Sequence, residues 1–176
     1  MESDIALRDL GRASSGEVLA ILNDAILTST ALWDYAARPL SAMESWFAAK
    51  ETGRFPVIGA VDRHDTLLGF ATYGTFRGWP AYKYSVEHSV YVHRDHRRKG
   101  LGLLLLTAVI ERAQQQEFHT LIAGIEASNE ASRALHRRLG FEHCGTVRHA
   151  GYKFGRWLDL EFHQRILTTP AFPVEG

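Results

Sequence analysis

Apolar residues change their spacing several times along this chain, and each change marks the end of an element. Ile5 and Leu7 alternate as a short first strand, and residues 9–16 supply turn and cap residues. Val18, Leu19, Leu22 and Ile26 then recur at helical spacing. A loop over 28–39 ends at Arg38-Pro39, where helix is disfavoured. Ser41 is placed to cap a second helix through Trp46 and Phe47, with Gly53 as its stop. Stretches 56–61 and 66–73 predict a hairpin turning at 62–65. Residues 84–92 are β-branched and apolar enough for a buried strand, whereas 100–116 is too long and Leu/Ala-rich for anything but helix. A strand over 120–125, a short helix over 129–139 closed by Gly140, and strands over 141–149 and 154–166 complete the order βααβββαβαββ. The pattern predicts one mixed α/β domain over 1–167, followed by a loose tail over 168–176 that carries Pro170 and Pro173.

Composition narrows the class. The chain has 176 residues, 45% of them hydrophobic, enough for one substantial core. Its 20 Lys and Arg balance 20 Asp and Glu, which argues against general nucleic-acid or membrane-surface binding. The single cysteine, Cys144, fits a reducing compartment and reads as a structural thiol away from solvent. Met1-Glu2-Ser3-Asp4 has neither the basic nor the apolar part of a secretory leader, so the expected place is the cytoplasm. His88, His93 and His96 offer no spacing that gives four ligands, and no metal is expected.

The chemistry concentrates at Arg97-Arg98-Lys99-Gly100-Leu101-Gly102, between the 84–92 strand and the 100–116 helix. Glycines allow backbone to approach an oxygen-rich ligand, and first-turn helix amides lack internal partners. With the helix dipole and the flanking cations they suit a pyrophosphate. Three consecutive strands before this turn exclude a Rossmann unit, and the missing GK[ST] triplet excludes a P-loop.

That hexapeptide resembles the [QR]-x-x-G-x-[GA] signature of the Gcn5-related N-acetyltransferase (GNAT) superfamily. The strand before it, Asn129 with Ser132, and Leu139-Gly140-Phe141 extend the resemblance to about residues 4–166. More narrowly, Val86-Glu87-His88-Ser89-Val90-Tyr91-Val92, His136 and the run from Gly151 to Asp159 resemble phosphinothricin and methionine sulfoximine N-acetyltransferases. The resemblance implies a GNAT fold, a mixed and mostly antiparallel sheet of about seven strands with about four helices. It implies acetyl-CoA as co-substrate, transfer to the α-amine of a small amino acid or analogue in a ternary complex, and a homodimer. Trp79 stands where phosphinothricin-specific members tend to carry a basic residue, so sulfone and sulfoximine analogues are equally expected acceptors.

Residue roles follow from the chemistry and the resemblance together. Glu87, mid-strand among valines, is the candidate base for the amine, and His136 is the candidate partner for either the amine or the leaving thiol. Amides from Arg98 to Leu103, with the side chains of Arg97, Arg98 and Lys99, are expected on the pyrophosphate. By resemblance, Val90, Tyr91, Val92, Asn129 and Ser132 meet the pantetheine arm. Trp33, Arg77, Tyr82, Lys83 and Tyr84 suit the carboxylate and oxygens of an amino-acid analogue, with Lys153 and Trp157 at the pocket or a subunit contact. A GNAT acting on a peptide N-terminus, a polyamine or an antibiotic, and a non-catalytic acyl-CoA-binding module, are the competing readings.

Overall fold

The computed structural model describes residues 5–175; Gly176 and Met1 to Asp4, on which the leader argument rests, lie outside the described residues. The elements are β1 (Ala6–Asp9), α1 (Ser15–Thr28), α2 (Ala42–Gly53), β2 (Val57–Val61), β3 (Leu67–Thr75), β4 (Ser85–Val92), α3 (Leu101–Gln115), β5 (Thr120–Glu126), α4 (Glu130–Arg138), β6 (Glu142–Lys153) and β7 (Arg156–Ile166). This is the order the hydrophobic spacing predicts. The strands form one seven-stranded sheet in the order β1-β2-β3-β4-β5-β7-β6. β4 runs parallel to β5, while β1 with β2, β2 with β3, β5 with β7 and β6 with β7 are antiparallel.

The chain divides into two compact units, the first reaching to Tyr73 and including Ser89–Val109, the second made of Gly74–His88 and everything from Ile110 on. In the first, Val18, Leu22 and Ile21 of α1 and Met43 and Phe47 of α2 bury themselves with Val57, Val61 and Phe70 of the hairpin. Each such side chain contributes about 1.5–3 kcal/mol when removed from water. Trp46 meets Phe47 edge-on at 4.9 Å, and Tyr91 packs on Phe70 at 5.4 Å, which fixes the second half of β4 against this core. The hairpin turn is organised by Asp62, whose Oδ1 accepts from the amides of His64 (2.8 Å) and Thr66 (3.0 Å).

In the second unit β5 pairs with β7 along its whole length, from Thr120↔Ile166 to Glu126↔Leu160. The β4–β5 ladder is shorter and covers only Ser85–Glu87 against Thr120–Ile122. Asn129 caps α4 by accepting from Ser132 N at 3.1 Å, and Gly140 closes it with φ +78°. The tail is tied down at Thr169 and at Val174. Thr169 Oγ1 donates to Phe118 O, and the Tyr84 hydroxyl bonds both the amide (3.0 Å) and the carbonyl (3.2 Å) of Val174.

Four sequence expectations need correction. α2 ends at Gly53 as expected, but the left-handed cap is Arg54 at φ 54° rather than the glycine, and a Cβ on Gly53 would sit 2.2 Å from the Phe55 ring. Ser41 holds the cap position of α2 in helical conformation, so its side chain makes no capping bond. β6 continues past 149 to Lys153 through a register shift between Val147 and Gly151, where His149 turns to φ 50°. Cys144 is exposed rather than buried, because β6 is an edge strand, and its Sγ meets Phe162 O at 3.2 Å.

Candidate active site

In the first unit, the loop before α3 takes the shape of an anion cradle. Arg98 at φ 61° and Gly100 at φ 80° are both left-handed and Arg97 before them is extended, a mixture of conformations of the kind from which main-chain anion nests are built. Leu104 N donates to Gly100 O at 3.1 Å, the first bond of α3, so the amides of Leu101, Gly102 and Leu103 precede the helical ladder. The cradle is main chain; the basic side chains mostly brace it. Arg97 Nε donates to Val92 O at 3.2 Å, and Lys99 Nζ donates to Asp95 O at 3.1 Å. Asp24 of α1, nearly buried, pairs with Arg94 and lies 3.6 Å from Arg97 Nη2. Asp24 was missed by sequence reasoning, for its partners lie some 70 positions away and nothing local marks it.

This geometry carries a prediction. A non-glycine residue in the left-handed region costs about 1–2 kcal/mol. Arg98→Gly should therefore raise unfolding stability by up to about 1 kcal/mol, after the added freedom of the unfolded chain is subtracted. The KM for acetyl-CoA should move less than about threefold if amides carry the anion. A thermal melt with a cofactor titration decides it, and a tenfold weaker KM would mean that the Arg98 side chain holds phosphate.

The second unit holds Glu87 and the acceptor candidates. Alternation along β4 sends Val86 and His88 to one face and Glu87 to the other. Glu87 is half-buried, and among the described residues its carboxylate has no hydrogen-bond partner. Burial pushes its pKa up, and only the charge of Arg77 opposes this. The Arg77 guanidinium lies 5.0 Å over the Phe76 ring, which meets Tyr82 at 5.8 Å and Phe162 at 6.3 Å. Arg77, Tyr82 and Glu87 thus share a unit. Lys83 stacks its ammonium 5.1 Å from the Tyr84 ring, while the Tyr84 hydroxyl is taken up by Val174. Trp33 lies in the first unit, its indole Nε1 donating to Thr30 O at 2.9 Å. Lys153 is buried at the end of β6, and Trp157 is exposed and stacked with His149.

On the other face of β4, also in the second unit, lies a buried histidine pair. His88 Nε2 and His136 Nε2 are 2.9 Å apart, their rings stacked at 5.1 Å, with Phe141 against both. His136 Nδ1 is 2.7 Å from Ser132 O, with Ser132 Oγ at 3.4 Å. A carbonyl can only accept, so Nδ1 carries the proton, and in the neutral ring Nε2 must be a lone pair. His88 must then donate from Nε2, which leaves its Nδ1 without a partner, as observed. Burial, reinforced by His136, pushes the His88 pKa down to about 3; the Ile122 carbonyl opposes this without reaching hydrogen-bond geometry. Burial also lowers His136, helped by His163 and opposed by Ser132 O. Behind the pair, His163 Nε2 bonds Glu161 at 2.9 Å, and Arg133 Nε lies 3.0 Å from the same carboxylate. His88 was set aside at the sequence level as a metal ligand, and its pairing across 48 positions had no local signal.

Residues 19–141 match the model of the Acetyltransferase (GNAT) family. The chain belongs to the GNAT family. This GNAT acetyltransferase is 46% identical over 159 residues to an L-methionine sulfoximine/L-methionine sulfone acetyltransferase of Pseudomonas aeruginosa PAO1, covering 90% of this chain and 92% of that one. It superimposes with a TM-score of 0.90 on an N-acetyltransferase from Staphylococcus aureus Mu50, 41% identical over 93% of this chain and 99% of that one. A GNAT phosphinothricin acetyltransferase from Sinorhizobium meliloti, solved in complex with AcCoA, gives a TM-score of 0.92 at 33% identity, covering 98% of this chain and 94% of that one. The seven-stranded mixed sheet with four helices is the fold these GNAT proteins share.

Proposed function

We propose that this acetyltransferase moves an acetyl group from acetyl-CoA to the α-amine of a small amino acid or analogue of the methionine sulfone, methionine sulfoximine or phosphinothricin type. The observation that carries the reading is the Glu87 carboxylate, half-buried, unbonded and raised in pKa, in one unit with Arg77. An α-amino acid brings an ammonium that needs a base and a carboxylate that needs a cation, and these two side chains meet both needs. The named activities of the relatives support the same acceptor class.

Acetyl-CoA supplies the acetyl group as an activated thioester. For its pyrophosphate this chain offers the amides of 98–103, with a left-handed cradle that fits an anion. Main-chain groups of Val90, Tyr91 and Val92 suit the pantetheine amides, and so does the Asn129 amide nitrogen, which the helix cap does not use. An α-ammonium is mostly protonated at neutral pH, and its deprotonation there costs about 1.4 kcal/mol for each unit by which its pKa exceeds the pH. Glu87 offsets part of this by accepting the proton, directly or through one water, so that the amine attacks in a ternary complex. His136, the sequence candidate for the amine or the leaving thiol, has both ring nitrogens taken up by His88 and Ser132 on the other face of β4, so no proton-transfer step is assigned to it. Tyr152, Phe154 and Trp157, exposed together on the β6–β7 hairpin, support a homodimer through that face.

The test is thiol release with acetyl-CoA and methionine sulfone. Turnover should exceed that with a polyamine or a peptide N-terminus by at least about tenfold in kcat/KM. Acetyl-CoA binding without release against any amine would leave the acyl-CoA-binding reading standing instead.

A further inference from the structure

β5 is a central strand with five of its seven residues buried, and Gly124 is its one exposed position. The backbone does not require glycine there, because its φ lies outside the left-handed region. Glycine inside a strand weakens it, so the missing side chain has to be explained by what occupies the space. A Cβ at 124 would lie 3.0 Å from Glu87 Oε1 and 3.3 Å from Leu160 Cδ1. Phe162 stands opposite Gly124 on β7, on the same face, with Phe76 against its ring. The result is a hollow whose floor is main chain, whose polar wall is the candidate base and whose other wall is apolar.

We infer that Gly124 is a specificity-determining residue, its missing side chain leaving room beside Glu87 for the ammonium nitrogen and α-carbon of the acceptor. The inference rests on the acceptor class proposed above. An ammonium entering this space meets a carboxylate that has no other hydrogen-bond partner, and its carbon substituents meet Leu160 and Phe162. A methyl group at 124 competes for the same volume and pushes the carboxylate aside by a few tenths of an ångström.

Steady-state kinetics of Gly124→Ala with methionine sulfone and acetyl-CoA test this. The acceptor KM should rise about 10–100-fold, the loss expected when one methyl group is misplaced in a fitted pocket. Gly124→Val should raise it further. The acetyl-CoA KM should stay within about twofold, and the melting temperature should not fall, because alanine suits a strand better than glycine. An unchanged acceptor KM in a folded variant, or an equal rise of both KM values, overturns the inference while leaving the acetyltransferase reading intact. A wild-type enzyme that acetylates no amino-acid analogue overturns both.

Discussion

Replacing Glu87 by glutamine should lower turnover by about 10²–10³-fold at neutral pH, the usual worth of a positioned base. The amide keeps the shape of the carboxylate but cannot take a proton. The deficit should shrink as pH rises, because below the pKa of the acceptor's α-amine each unit of pH yields roughly tenfold more free amine that needs no base. In the native enzyme the acid limb of kcat/KM should lie above the ordinary range of a glutamate, since burial raises the Glu87 pKa and Arg77 only partly offsets it. Paired pH–rate profiles of the two proteins measure this. A Glu87→Gln deficit that stays constant from neutral to alkaline pH would place the base elsewhere.

The buried histidines set a second large effect, on stability. In the unfolded chain both His88 and His136 titrate near 6.5, but in the fold burial lowers both, His88 to about 3. Below pH 6.5 the unfolded state therefore binds protons that the folded state refuses. Stability is complete above that pH and falls as the solution is acidified towards the folded values. For His88 alone, acidification to pH 5 spans about 1.5 units and costs about 2 kcal/mol. His136 adds to this. Glu87, with its raised pKa, works the other way, but its relief comes only as it takes up a proton. Thermal melts between pH 7 and 5 should show the midpoint dropping by at least about 4–8 °C. The slope should be shallower in His88→Leu, even though that variant starts less stable because His136 Nε2 loses its donor. A midpoint independent of pH over this range would show that the pair is already protonated in the fold.

Much of the architecture was legible because the chain switches cleanly between periods of two and 3.6. The element order, the Gly140 closure and the glycine turn before α3 are all local signals and all appear where the spacing places them. What escaped is pairing over long separations. Asp24 with Arg94, His88 with His136, and Tyr84 with Val174 join residues 70, 48 and 90 positions apart. No window of sequence contains both members. Gly53 and Cys144 escaped for a related reason. The glycine read as a stop does end α2, but the left-handed turn falls on Arg54 and the glycine makes room for the ring of Phe55, while a cysteine that composition would bury stands on an edge strand that only the sheet order reveals. Gly124 gave no signal either, since a glycine in a strand declares its purpose only when its neighbours across the sheet are known.

The His88–His136 bond also governs how this protein can change. Each ring supplies what the other lacks, a donor facing a lone pair in a place water does not reach. A substitution at either position alone strands a polar atom, whereas a joint exchange, such as a second donor–acceptor pair or two apolar groups of matching volume, does not. Positions 88 and 136 therefore behave as one unit of variation. Any redesign of the β4–α4 junction, or any drift in a descendant of this gene, has to pass through both together.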